Sequence, residues 1–124
     1  MTPAIVVTHG MLGAELLKAA SQIYGPLEDV TAVSNEGCSL DALRLSLEDS
    51  LGDADAPIFV FVDVLGGSCC HAGLALRAAH PRVRLVAGVN LPMILEFLHH
   101  RASVDTEELL ERVLSRGRAA VRVP

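Results

Sequence analysis

Short apolar runs alternate along this chain with stretches whose apolar side chains recur at helical spacing. The first run, residues 4–8, stays apolar up to Thr8 and predicts a buried strand with His9-Gly10 at its exit. Leu12, Leu16, Ala19, Ala20 and Ile23 then fall on one face of a predicted helix over residues 12–23, which Gly25-Pro26 interrupts. Residues 30–33 predict a short second strand. Leu40, Leu43, Leu47 and Leu51 mark one face of a second helix, with Ser39 placed to cap its start and Gly52 to close it. Pro57 precedes Ile58-Phe59-Val60-Phe61-Val62, a run apolar on both faces that ends at Asp63 and predicts a central parallel strand covered on both sides.

The second half repeats the plan. A helix is predicted from near Ser68 to about Ala79, where His80-Pro81 ends it. Residues 83–89 predict a fourth strand. Asn90 can cap the next helix, with Pro92 tolerated in its first turn; that helix carries Met93, Leu95 and Leu98 and fades near Arg101. Asp105-x-x-Glu108 resembles a capping box for a last helix, with Leu109, Leu110, Val113 and Leu114 facing inward. The tail from Ala119 to Val123 predicts a short antiparallel edge strand.

Alternating strands and helices make an α/β, doubly wound fold with a mainly parallel sheet. Right-handed crossovers reduce the choices, and the flavodoxin-like order 2-1-3-4 makes the first and third strands neighbours at the switch point. His9 and Asp63 then share one crevice. With 124 residues, the chain is expected to be a single domain over residues 1–124.

Composition narrows the function. Apolar residues make up 51% of the chain but aromatic ones only 3%, so the core is aliphatic and little is available to stack on bases or sugar rings. The net charge of −5 provides no basic footprint, and nucleic acid is not an expected partner. No apolar run is long and uncharged enough to span a bilayer and no signal peptide opens the chain, so a cytoplasmic location is expected. Cys38, Cys69 and Cys70 fit a reducing compartment, and their spacing matches no zinc pattern.

The candidate chemistry lies at the two strand exits. A neutral imidazole can attack phosphorus through one nitrogen while the other donates to a carboxylate, which fixes the tautomer and stabilises the developing charge. His9 and Asp63 fit these roles. Phosphoryl transfer otherwise needs positioning and donors for the equatorial oxygens. Gly66-Gly67-Ser68 offers a close backbone approach, a hydroxyl and a helix start, and Gly10 leaves room beside His9. Each feature also has a structural reading: a histidine after a strand, an aspartate capping a helix, an ordinary loop. Their coincidence at one edge favours chemistry. His71, His80, His99 and His100 lack this placement, and Cys69-Cys70-His71 place adjacent side chains that point apart on a helix. No P-loop, dinucleotide fingerprint or nucleophile elbow is present.

Val6-Val7-Thr8-His9-Gly10, Val62-Asp63-Val64-Leu65-Gly66-Gly67-Ser68 and Ala87-Gly88-Val89-Asn90-Leu91-Pro92-Met93 together resemble the IIA component of the mannose family of the sugar phosphotransferase system (PTS). The resemblance implies a cytoplasmic phosphocarrier that takes a phosphoryl group from HPr onto His9 and passes it to a IIB component. Asp63 would be the hydrogen-bond partner of His9, and Gly10, Gly66, Gly67 and Ser68 would line the phosphate site. It implies a homodimer with an exchanged C-terminal strand and membrane contact at most through transporter subunits; no cofactor and no metal are expected. Two other readings of the same residues stay open: a regulatory module of this fold that binds partners without sugar transport, and a non-catalytic anion-binding domain. The chain departs from the family at Leu65, where Trp is frequent, and at Ser68-Cys69-Cys70-His71, where Ser-Pro-Phe-Asn is frequent. Both departures bear on partner choice.

Overall fold

The computed structural model describes residues 1–124. In chain order it contains β1 (Ala4–Thr8), α1 (Leu12–Tyr24), β2 (Val30–Ser34), α2 (Leu40–Leu51), β3 (Ile58–Val62), α3 (Ser68–Ala79), β4 (Val83–Ala87), α4 (Leu91–His100) and α5 (Thr106–Ala119). The strands form one sheet in the order β2-β1-β3-β4, every neighbouring pair parallel. The flavodoxin-like topology read from the sequence is therefore the one observed. The register sets Val7 opposite both Val33 and Val62, so β1, β2 and β3 end at nearly the same level.

Alternation along each strand divides the core into two layers. Ile5, Val7, Val60 and Val62 pack on Leu43, Leu47 and Leu76 from α2 and α3. Val6, Phe59, Phe61 and Val86 face Phe97 and Leu98 of α4 and Leu109 and Val113 of α5. The Phe97 ring lies 5.2 Å from Phe59 and 5.6 Å from Phe61, the latter edge-on. The central strands β1 and β3 are buried along their whole length, so on them only the residues past the strand ends reach solvent, and the chemistry is confined there.

Helix starts follow the expected caps. Ser39, Asn90 and Asp105 accept backbone N–H bonds from Ala42, Met93 and Glu108 at 3.1, 3.0 and 2.8 Å. The buried face of α1 differs from the expected stripe. Gly13 and Ala20 are buried, Leu16 and Leu17 are packed beside them, and Leu12 and Ile23 are exposed. Gly13 sets this phase: a Cβ there would meet Thr8 Oγ1 and the Val6 carbonyl at 3.1 Å, and its N–H donates to Thr8 Oγ1 at 2.7 Å. The helix thus approaches β1 through a residue that an apolar count passes over.

β2 runs one residue further than expected, to Ser34, and β4 stops at Ala87 because Gly88, at φ +77°, turns the chain. The edge strand expected over 119–123 does not form. α5 continues through Ala119, and its last turn is seated on α4: Asn90 Nδ2 donates to the Gly117 carbonyl at 3.1 Å, and a Cβ on Gly117 would collide with Met93. The tail therefore leaves from the helical layer, with Val121 and Val123 exposed. No helix is long and apolar enough to cross a membrane.

Candidate functional site

The sheet reverses its winding between β1 and β3, and the side chains just past β1, β2 and β3 converge. His9 follows β1, Asn35 follows β2 and Asp63 follows β3. Carboxyl ends of parallel strands at such a reversal form a crevice that helices do not cover. The structure brings together His9, Gly10, Asp63, Gly67 and Ser68 from the sequence reading, and adds Asn35 and Cys69.

His9 Nδ1 lies 2.9 Å from Asp63 Oδ2, and the His9 backbone N–H donates to the same oxygen at 2.9 Å. The other oxygen, Oδ1, accepts the Val64 N–H at 2.9 Å. The carboxylate is almost enclosed, with 7% of its side chain exposed against 48% for His9. Burial pushes the Asp63 carboxyl up, but the His9 backbone N–H, the His9 ring and its charge outweigh burial, and Asp63 titrates below the ordinary carboxylate value. Near neutral pH it is an anion and can only accept. The ring must then donate from Nδ1, which leaves the lone pair of the neutral imidazole on Nε2.

Nε2 faces the start of α3. Ser68 Oγ lies 3.4 Å from it. Gly67 backs the ring so closely that a Cβ there would sit 3.0 Å from His9 Cε1 and 3.6 Å from Nε2. Gly67 also occupies the N-cap position of α3, where no side chain accepts from the first-turn N–H groups. Gly66, at φ +87°, makes the preceding turn. Asn35 joins the two loops: its Oδ1 accepts the Gly10 N–H at 3.1 Å and its Nδ2 donates to Ser68 Oγ at 3.4 Å. The Gly10 N–H is therefore committed within the protein, so Gly10 contributes space rather than a donor.

In the sequence Cys69 is one of three adjacent helical side chains expected to point apart. Cys70 and His71 do point elsewhere, but Cys69 Sγ lies 3.9 Å from His9 Nδ1. Burial pushes its thiol up, as do the Asp63 carboxylate and Cys70, while the Ser68 hydroxyl pulls the other way. The donor atoms of His9, Asp63 and Cys69 lie within 4.8 Å of one another, the one set of this kind on the chain able to hold a metal ion. The other histidines stay outside: His80 pairs with Glu48, His100 with Glu96, and His99 packs on Tyr24.

The surroundings are open and partly apolar. Met11, Val64 and Leu65 are exposed on the loops that carry His9 and Asp63, Leu65 to 80%. None of the five surface crevices is lined by His9, Asp63 or Ser68. The His9 imidazole is thus half-exposed on an open rim rather than enclosed in a cavity.

Residues 4–114 match the protein family described as PTS system fructose IIA component. The sorbose-specific EIIA component of the PTS of Klebsiella pneumoniae is 25% identical over 114 residues, which span 91% of this chain and 84% of that protein. The mannose-specific EIIAB component of Escherichia coli (strain K12) is 30% identical over 127 residues; the match takes in 98% of this chain but only 39% of that longer protein. Among solved structures, the mannose/sorbose-specific IIA subunit of the phosphotransferase system from Enterococcus faecalis superposes with a TM-score of 0.85 at 27% identity, covering 100% of this chain and 96% of its own.

Proposed function

The chain belongs to the family of PTS fructose-type IIA components, and from that premise we propose that it is a phosphocarrier of sugar transport whose phosphoryl group rides on Nε2 of His9. The single observation that carries this reading is the His9–Asp63 pair, 2.9 Å long and anchored by backbone N–H groups. The lone pair on Nε2 attacks phosphorus on phospho-HPr. A new N–P bond forms while the bond from phosphorus to the HPr donor atom breaks. Asp63, an anion throughout, holds the proton on Nδ1 and balances the positive charge that grows on the ring.

The remaining groups hold the phosphoryl oxygens. Ser68 supplies a hydroxyl beside Nε2, and α3 presents its first-turn N–H groups and the positive end of its dipole. Gly66 and Gly67 let the oxygens approach the backbone, and Gly10 leaves them room. The phosphoryl group then passes to a IIB component. Both partners dock on the rim made by Met11, Val64 and Leu65, whose exposure is that of a contact surface. In this reading residues 1–124 act as one IIA unit in the cytoplasm, meet the membrane only through transporter subunits, and form a homodimer that buries Val121 and Val123.

The test is direct. Incubated with labelled phosphoenolpyruvate, enzyme I and HPr, the chain takes up one acid-labile phosphate, and His9→Ala takes up none. Equal labelling of the two proteins removes His9 from the relay.

A further inference from the structure

We propose that the same corner binds a thiophilic divalent cation, zinc above all, through His9 Nδ1, Asp63 and Cys69, and that the ion and the phosphoryl group exclude one another. The binding rests on geometry alone; its consequence rests on the phosphocarrier reading. The three donors come from separate elements, the exits of β1 and β3 and the first turn of α3. Their ligating atoms lie within 4.8 Å of one another, with Nδ1 at 2.9 Å from Oδ2 and 3.9 Å from Sγ. Around tetrahedral zinc, with bonds of about 2.0–2.3 Å, neighbouring N, O and S atoms stand roughly 3.4–3.6 Å apart. The two separations that involve Nδ1 are within about half an ångström of that range, and the sulfur and the carboxylate oxygen, within 4.8 Å of each other, close onto the ion as it binds.

The arrangement is not a nucleophilic triad. A thiol activated by an imidazole needs the carboxylate on the opposite ring nitrogen. Here sulfur and carboxylate oxygen crowd the same nitrogen, as ligands do. Solvent reaches the histidine, which is 48% exposed, and supplies the fourth position. Asp63 Oδ1, held by the Val64 N–H, keeps the carboxylate oriented from behind the ion.

The protons decide the consequence. To ligate, Cys69 releases its thiol proton to solvent. Nδ1 gives its lone pair to the ion, so the ring proton moves through solvent to Nε2. The nitrogen that would attack phosphorus then carries hydrogen and has no lone pair in reach. Conversely, a phosphoryl group on Nε2 keeps the proton on Nδ1 and closes that nitrogen to metal. By linkage, each occupant weakens the other by the same factor.

Cobalt(II) titrated into the unphosphorylated full chain, with exposed Cys38 replaced by Ser, reads the site directly. One equivalent should bind with tetrahedral visible bands and a near-ultraviolet sulfur-to-cobalt band, and zinc should displace it. The bands should persist in Cys70→Ser and be lost in Cys69→Ser and in His9→Ala, the latter altering only an exposed side chain. Phosphorylated chain should bind none. Absence of a stoichiometric band, or a band that survives either Cys69→Ser or His9→Ala, overturns the ion site. Equal cobalt binding by phosphorylated and unphosphorylated chain overturns the mutual exclusion. Because the titration of the unphosphorylated chain uses no phosphoryl donor, failed labelling of His9 would remove the phosphocarrier reading and leave that cobalt result standing, and a missing band would do the reverse.

Discussion

Two histidine–carboxylate pairs in this chain have almost the same length and opposite settings. His9 Nδ1 lies 2.9 Å from Asp63, and His80 Nε2 lies 2.8 Å from Glu48. Asp63 is nearly enclosed and each of its oxygens already holds a backbone N–H, from His9 and from Val64. Glu48 extends from α2 with 45% of its side chain exposed, and both its oxygens meet only the His80 ring. Separation therefore does not distinguish a site from a surface contact. The difference is that one carboxylate is fixed by the backbone before the imidazole arrives, while the other must lose side-chain freedom to make the contact.

The comparison is tested most severely by Asp63→Asn. The amide keeps the size and one acceptor oxygen, but its NH₂ no longer demands the proton on Nδ1, and the charge that balances the phosphorylated ring is gone. Phosphoryl uptake from phospho-HPr should slow by about a hundredfold, with thermal unfolding still cooperative and far-ultraviolet circular dichroism unchanged. Equal uptake rates in quench-flow would show that a fixed carboxylate is not what separates the two pairs.

Gly67→Ala probes the ring rather than its partner. Gly67 has φ −82°, which any residue accepts, so the backbone is not strained by the change. The new methyl would stand 3.0 Å from His9 Cε1, and the ring must yield by a few tenths of an ångström. Uptake should fall by about tenfold, since small displacements of a reacting atom cost that much or more. An unchanged rate would mean that the ring tolerates movement and that its fixed pose is incidental. Asn35→Ala acts at one further remove, releasing Gly10 and Ser68 from each other. Losing hydrogen bonds worth about 0.5–1.5 kcal/mol should slow uptake by roughly two- to tenfold, while a rate equal to wild type would confine Asn35 to holding the loops.

The parts of this corner were unequally legible in the sequence. His9 and Asp63 stand directly behind the two most apolar runs, and the 2-1-3-4 order makes those runs neighbours, so local pattern plus topology was enough. Asn35 follows a short strand whose apolar pattern ends at Val33; only the register that sets Val7 against Val33 reveals it as level with His9. Cys69 was hidden for a different reason. Its sequence neighbours do diverge from it, but its partner is another strand's histidine, which spacing along the chain cannot show. The same limit explains α1 and the tail. Gly13 buries a face that an apolar count misphases, and Val121-Arg122-Val123 alternates like a strand although α5 delivers it to the helical layer. Which strands are neighbours was readable from pattern and topology; contacts set by register or by how a helix seats on the sheet were not.

The smallest expected effect belongs to the other pair. Glu48→Gln removes the charge from a partner that water already solvates, and the loss of coulombic attraction is offset by the freedom the side chain regains. Exposed pairs of this kind contribute about 0–1 kcal/mol. Thermal denaturation should therefore shift stability by less than about 1 kcal/mol, and the already small difference should shrink further in high salt. His80 should take up no phosphate from phospho-HPr in either form, because no glycine loop or helix start faces its ring and its proton is not assigned by an anchored acid. A phosphorylated His80, found by peptide mapping of the labelled chain, would show that a 2.8 Å contact with any carboxylate suffices, and the contrast between the two pairs would collapse.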